Sequence, residues 1–266
     1  MIAVENFSSN GEASRALDAG SIYLGGGTLV MRALNYGEQN FTRIVRSSDP
    51  SMKRIETHGD KVVIGAGLTM AEILSSNDLS FLHAPAKAVG GPAVRNMATI
   101  GGNLFAEHPY GDLATALLAL DGTVQFDGGQ SSDFESFFAS RQNTHNLVTS
   151  VTIKRPNLGD FRWSKITRVK PKGVSVMSIA AWLPQSGGRI NNPRIAFGAM
   201  GPTPLRAKNA ERVFENQNLD QQTVTNAIAA LSGDFQPPDD PLASGWYRTQ
   251  VAPVHLRRLL LNEGGL

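Results

Sequence analysis

The residues of this chain best suited to chemistry are two glycine turns edged by hydroxyls. Tyr23-Leu24 runs into Gly25-Gly26-Gly27-Thr28 and on to Leu29-Val30, and Thr99-Ile100 runs into Gly101-Gly102-Asn103. Glycine lets backbone N–H groups approach an anion with no Cβ in the way, and successive amides in a turn make a concave anion site. Charge-assisted N–H bonds of about 1.5–3 kcal/mol each would hold a dianionic pyrophosphate. A long ligand with a diphosphate waist, such as FAD, fits that requirement.

Either cluster alone is explained by a tight turn, but two separated by an intact αβ unit exceed local turn needs. A dinucleotide fingerprint is one alternative, because Gly25-Gly26-Gly27 lies between a strand and a helix and Asp49 falls near the place of a ribose-binding acid. Against it, Val30 replaces the third glycine, the following helix is very short, and Asp49-Pro50 reads as a turn. No Gly-Lys-Ser/Thr follows, which excludes a Walker loop. A further glycine turn, Gly65-Ala-Gly67, leads from a strand to a capping box and has a sufficient local reason.

The elements around these turns alternate. The pattern predicts a helix over 11–19, a strand over 21–24, a helical turn over 29–34 and a strand over 41–45. His58-Gly-Asp60 is a turn before a β-branched strand over 61–64, and Thr69-Met-Ala-Glu72 opens a helix through Ser75. An apolar helix over 113–120 follows with Asp112 as its N-cap. Strands over 123–126 and 147–154 flank a helical piece around 134–139. Beyond the turn residues Arg155-Pro-Asn-Leu-Gly159 the pattern changes to strands over 161–169, 174–183 and 189–200, an antiparallel unit, with helices over 208–215, 220–231 and 245–261.

The 266 residues carry 41% hydrophobic content, enough for a packed core, and a net charge of only +2. Basic residues are dispersed apart from short clusters such as Arg168-Val-Lys-Pro-Lys172 and Arg257-Arg258, too sparse for a nucleic-acid surface. No apolar run reaches the roughly 18 residues of a membrane span, and Met1-Ile-Ala-Val-Glu-Asn-Phe7 lacks an export-signal pattern, so a cytoplasmic protein is expected. The absence of cysteine excludes disulfides, zinc–cysteine sites, iron–sulfur ligation by this chain and a cysteinyl flavin link. The five histidines, His58, His83, His108, His145 and His255, show no metal-ligand spacing, and neither a Ser/His/Asp set nor a carboxylate pair calls for acid–base catalysis. No catalytic residue and no metal site is expected.

At five segments the chain resembles the FAD-binding subunits of the molybdenum hydroxylases, the family of the carbon monoxide dehydrogenase medium chain and the xanthine dehydrogenase FAD-binding subunit. These are Leu24-Gly-Gly-Gly-Thr28, Ile64-Gly-Ala-Gly-Leu-Thr69, Val94-Arg-Asn-Met-Ala-Thr-Ile-Gly-Gly-Asn103, Asp112-Leu-Ala-Thr-Ala-Leu-Leu118 and Ile195-Ala-Phe-Gly-Ala-Met-Gly-Pro-Thr-Pro-Leu-Arg206, in family order over nearly the whole chain. The resemblance implies an α+β protein: a two-part FAD-binding domain of the PCMH/vanillyl-alcohol-oxidase type over 1–156, with subdomains of about 1–55 and 56–156. A small C-terminal domain of antiparallel strands and helices would occupy 157–266.

It further implies that FAD, held non-covalently, is contacted at its pyrophosphate by Tyr23, Leu24, Gly25, Gly26, Gly27, Thr28, Leu29 and Val30. Thr99, Ile100, Gly101, Gly102 and Asn103 would form a second wall, with Ile100 a candidate contact to the ring. Asp112 would accept a hydrogen bond from the ribityl or ribose region, and Val89, Val148 and Lys165 match further contact positions. Leu29 stands where the family usually has a polar residue, and His108-Pro109 where it has Asp-Pro. The implied role is electron relay from a small subunit's 2Fe–2S clusters to an external acceptor, with the molybdenum–pterin centre in a large subunit, as a heterotrimer or a dimer of heterotrimers. A stand-alone flavin oxidase and a cofactor-free scaffold subunit are the alternatives.

Overall fold

The computed structural model describes residues 2–38, 40–144, 146–169 and 173–263; His145 and the Lys170 and Lys172 of the basic cluster lie outside them. The chain divides into two units that interleave along the sequence. Met1–Ser80, Val89–Ala106 and Gly122–Lys154 make the first, and Phe81–Ala88, Glu107–Asp121 and Arg155–Leu266 the second.

The first unit contains two sheets. β1 (Ala3–Phe7), β2 (Ser21–Tyr23) and β3 (Arg43–Ser47) form a parallel sheet in the order β1-β3-β2. Parallel neighbours need crossover connections, supplied here by the helices Asn10–Ala16 and Val30–Asn35. Ala13, Val45 and Leu147 are buried at its centre with Phe7 and Tyr23 packed against them. β4 (Ile55–His58), β5 (Lys61–Gly65), β6 (Gly122–Phe126), β7 (Ser131–Asp133) and β8 (Val148–Lys154) form an antiparallel sheet in the order β4-β5-β8-β6-β7. The central strand β8 buries Val148, Ser150, Val151 and Ile153. Beside it, Phe137 meets the rings of Phe105 at 5.3 Å and Phe138 at 5.5 Å, which anchors the chain just beyond Asn103.

The second unit is built on an antiparallel sheet. β9 (Phe161–Thr167) and β10 (Ser175–Trp182) precede a small hairpin, β11 (Gln185–Ser186) with β12 (Arg189–Ile190), and then β13 (Arg194–Gly198) and β14 (Leu205–Arg206). The sheet order is β14-β13-β10-β9. Every residue of β10 is buried, because the helix Asp112–Ala119 covers one face, where Thr115 takes a hydrogen bond from Ser178 (3.2 Å). Met177, Ile179 and Ala181 join the core on the other face with Phe197, Phe214 and Leu256, the last from the helix Gly245–Leu261. The strand expected over 189–200 is broken at Asn191-Asn192-Pro193, where Asn192 adopts φ 53° and lets the chain turn from β12 into β13.

Candidate cofactor site

The first loop leaves β2 with Leu24 N donating to Val45 O (2.8 Å), a last bond in the sheet ladder. The Tyr23 ring belongs to the core of the parallel sheet; burial raises its phenol pKa above the ordinary value, so it anchors the loop as a neutral residue. Thereafter the amides of Gly25, Gly26, Gly27, Thr28, Leu29 and Val30 donate to no backbone or side-chain acceptor among the described residues. Gly27 takes φ +70°, and the helix Val30–Asn35 begins without a side-chain cap. Six successive free donors in a half-buried turn are the cradle an anion requires.

This loop rests directly on the second one. A Cβ on Gly26 would lie 1.7 Å from Met97 O and 3.1 Å from Ala98 Cα, and one on Gly25 would lie 2.8 Å from Thr99 Oγ1. The two bends therefore converge, and absence of side chains is what lets them touch. The second loop is itself strapped to the segment from Gly65 to Met70: Met70 N donates to Ala98 O (2.9 Å), Ile100 N to Leu68 O (3.0 Å) and Gly101 N to Ala66 O (2.8 Å).

Thr99 to Asn103 thus play another part than the first loop. Thr99 caps a short helix, Ile100–Leu104, accepting from Gly102 N at 3.1 Å, while Asn103 N donates to Thr99 O at 2.9 Å. The amides of Ile100, Gly101, Gly102 and Asn103 are all engaged by protein, so this wall shapes the cradle and offers few donors of its own. Ile100 is 0% exposed, so its side chain is a core residue with no free surface for a ring contact. Arg141 steadies the far end of that helix by donating to Leu104 O at 2.7 Å. Val89 is half-buried in the bend before the helix Pro92–Arg95, and Val148 is buried at the start of β8, opposite Phe126.

The second unit holds Asp112 and Lys165 together. Lys165 Nζ donates to Asp112 Oδ2 (2.7 Å) and Ala88 O (2.9 Å), and Ser175 Oγ donates to Asp112 Oδ1 (2.5 Å). Asp112 is not the N-cap expected of it: Gly111, with φ 97°, occupies that position, and Asp112 is the first helical residue. Its carboxylate is drawn away from the helix end by a cation and a hydroxyl contributed by β9 and β10. One Lys165 proton remains for a further acceptor, and both Asp112 oxygens keep a lone pair.

His108 is fixed rather than loose. Its Nε2 lies 2.5 Å from Asp240 Oδ2, which also takes a bond from Arg248 Nη2 (2.7 Å). Burial acts to raise the Asp240 pKa, but hydrogen bonds from His108, the Ala243 and Leu242 amides and Arg248 outweigh it and hold the carboxyl far below its ordinary range. Asp49, the acid of the dinucleotide alternative, spends its carboxylate on Ser51 N, Ser51 Oγ and Asn10 N, so that alternative fails and the turn reading stands. Among the described residues no three His, Cys, Asp or Glu are grouped to hold a metal.

Residues 5–156 match the family described as the FAD binding domain in molybdopterin dehydrogenase, and residues 164–262 match the CO dehydrogenase flavoprotein C-terminal domain. The chain is 28% identical over 214 residues to the glyceraldehyde dehydrogenase medium chain of Sulfolobus acidocaldarius, covering 75% of each protein. It is 24% identical over 253 residues to the xanthine dehydrogenase FAD-binding subunit of Escherichia coli O157:H7, covering 89% of this chain and 86% of that one. Reconstituted CO dehydrogenase from Oligotropha carboxidovorans superposes on 98% of the chain, and 96% of its own, with a TM-score of 0.88 at 23% identity. Quinoline 2-oxidoreductase from Pseudomonas putida 86 covers the same shares with a TM-score of 0.87 at 20% identity, and these likenesses show the fold, which the two family matches identify as the expected two-part FAD-binding domain followed by a C-terminal domain. With more than half of its length in the first of those families, the chain belongs to the FAD-binding domains of the molybdopterin dehydrogenases.

Proposed function

We propose that this chain is the FAD-carrying medium subunit of a multi-subunit molybdenum hydroxylase, relaying electrons from a partner's iron–sulfur clusters to an external acceptor. The observation that carries the reading is the run of six free amides from Gly25 to Val30, seated on Met97 and Ala98. In this reading those amides and Thr28 hold the pyrophosphate, with Tyr23 and Leu24 fixing the loop's start. Thr99 to Asn103 shape the opposite wall, and Val89 and Val148 contribute apolar contacts. Asp112, held by Ser175, accepts from a cofactor hydroxyl, and Lys165 donates its remaining proton to a cofactor oxygen. FAD, when bound, supplies the capacity to take up two electrons and release them singly or in pairs; the chain positions it and governs access to it. No side chain is assigned acid–base work on an organic substrate.

The molybdenum–pterin centre and the 2Fe–2S clusters are assigned to a large and a small partner subunit, in a heterotrimer or a dimer of heterotrimers. A functional boundary at 156/157, between the FAD-binding and C-terminal domains, belongs to the same proposal. Among the described residues no helix is long and apolar enough to cross a membrane, and a cytoplasmic location is proposed.

The test is purification of the chain under gentle conditions, addition of FAD, and an absorption spectrum, with mass spectrometry of co-purifying proteins. Flavin bands that leave the chain on denaturation, together with an iron–sulfur and a molybdopterin protein, are expected. Flavin that stays attached after denaturation overturns the non-covalent relay in favour of an oxidase. A chain that takes up no flavin is a scaffold, and the proposal falls.

A further inference from the structure

The glycine turn Gly65-Ala-Gly67 and its capping box do more than turn the chain, because their bonds reach the cofactor loops. Glu72 closes that box: Oε2 accepts from Thr69 N and Thr69 Oγ1, both at 2.8 Å, while Glu72 N donates to Thr69 Oγ1 at 3.2 Å. Its other oxygen takes a bond from Lys53 Nζ at 2.5 Å. Lys53 ends the short helix Pro50–Lys53, in which Met52 O accepts from Gly67 N at 2.8 Å. A Cβ on Gly65 would stand 2.3 Å from that same carbonyl, so only glycine permits the approach. Glu72 therefore clamps the Gly65-to-Met70 segment against 50–53.

The other edge of that clamped segment is the strap described above. The residues on either side of Thr69 exchange bonds with Ala98 and Ile100, and Ala66 holds Gly101. Gly26 presses on Met97 and Ala98, and Gly25 on Thr99. An unbroken series of short contacts thus runs from Glu72 to the six free amides.

We infer that Glu72 is a positioning residue for flavin binding, setting the height of the pyrophosphate cradle through Thr69 and the 98–101 segment without touching the cofactor. This rests on the proposed FAD site. Glu72 and Lys53 are both substantially exposed, an exposed ion pair contributes little to overall stability, and the capping contribution is one that Asp133 makes equally to its own helix. A positioning role therefore predicts that loss of Glu72 harms flavin affinity out of proportion to its effect on folding.

The experiment compares the full chain with Glu72→Ala, Glu72→Gln and, as control, Asp133→Ala. Asp133 caps the helix Phe134–Ser140 by accepting from Ser136 N at 2.9 Å and has no bond to either cofactor loop. FAD affinity is measured by flavin fluorescence quenching, visible circular dichroism reports the seating of bound flavin, and thermal melts report folding. Glu72→Ala is expected to weaken FAD roughly tenfold and alter the dichroism. Glu72→Gln, which keeps an oxygen for Thr69 N, should recover most of the loss, and Asp133→Ala should melt as early as Glu72→Ala while binding FAD normally. If Glu72→Ala and Glu72→Gln both bind within threefold of the unaltered chain, or if Asp133→Ala weakens FAD equally, the positioning role is overturned while the FAD site stands. An unaltered chain that binds no FAD overturns the site itself.

Discussion

Substituting Gly26 by alanine tests the convergence of the two loops most directly. The added methyl would begin 1.7 Å from Met97 O, whereas real Cβ atoms essentially never come within 3.0 Å of such a neighbour, so the loop must retreat by about 1.3 Å. Met97 O cannot yield easily, because the adjoining Ala98 carbonyl is bonded to Met70 N. An N–H···O bond near 2.9 Å that lengthens by that amount is no longer a hydrogen bond. Losing two charge-assisted donors at about 1.5–3 kcal/mol each weakens FAD by roughly 10²- to 10⁴-fold. Folding should persist, since Tyr23 remains in its core and Leu24 N on Val45 O. Titration of the apo chain with FAD, followed by fluorescence quenching, gives the affinity, and a thermal melt checks the fold. Gly20→Ala, whose methyl would meet only Asp18 Oδ1 and Thr42 Oγ1 at 3.6 and 3.7 Å, serves as the tolerated control. A folded Gly26→Ala chain with affinity within threefold of the original would refute the argument that these amides grip the cofactor.

Asp112→Ala leaves Lys165 and Ser175 facing an empty carboxylate position, so urea unfolding should show a loss of about 3–5 kcal/mol, more than the ~0.5–2 kcal/mol of a missing helix cap. Asp240→Asn should cost a similar ~3–5 kcal/mol at neutral pH, because Arg248 is fully buried beneath it. The acid limb supplies an independent check. A carboxyl with a depressed folded pKa stabilises fully above the unfolded value of about 3.9 and progressively less as pH falls toward the folded one. Melting temperature measured below pH 4 should accordingly fall less steeply in Asp240→Asn than in the original chain. Gly11→Ala, in the helix Asn10–Ala16 with only Arg15 Nη1 and Asp127 Oδ2 at 3.6 and 3.9 Å from the new methyl, should raise stability by about 0.4–1 kcal/mol in the same unfolding assay.

The sequence made legible whatever is set by neighbours along the chain. Periodicity located the helix Val30–Asn35, the long helix Gly245–Leu261 and most strands to within a few residues, and Thr69 to Glu72 announced its capping box. Contacts between distant residues left no local trace. The helix Ile100–Leu104 contains two glycines, poor helix formers, and exists because Thr99 caps it and the strap fixes its first turn. Asp112 looked like a cap because nothing nearby discloses Lys165 or Ser175, and His108 gave no sign of Asp240, 132 positions later. β1 is not legible because its alternation, Val4 and Asn6 exposed against the half-buried Glu5 and Phe7, resembles a polar terminus until β3 pairs with it. In the candidate site the glycine runs were readable as such. That the first supplies donors and the second supplies only shape depends on which amides the fold has already used.

The helix Asp112–Ala119 also bears on how the protein is made. All eight of its residues end in the interior, yet much of the surface that encloses them lies on β10 and β13, and β13 is complete only at Gly198, 79 residues after Ala119. At a translation rate of about 5–20 residues per second, that interval is roughly 4–16 s. During synthesis a greasy octapeptide must wait outside the ribosome for its cover, an opening for chaperone capture or for self-association of nascent chains.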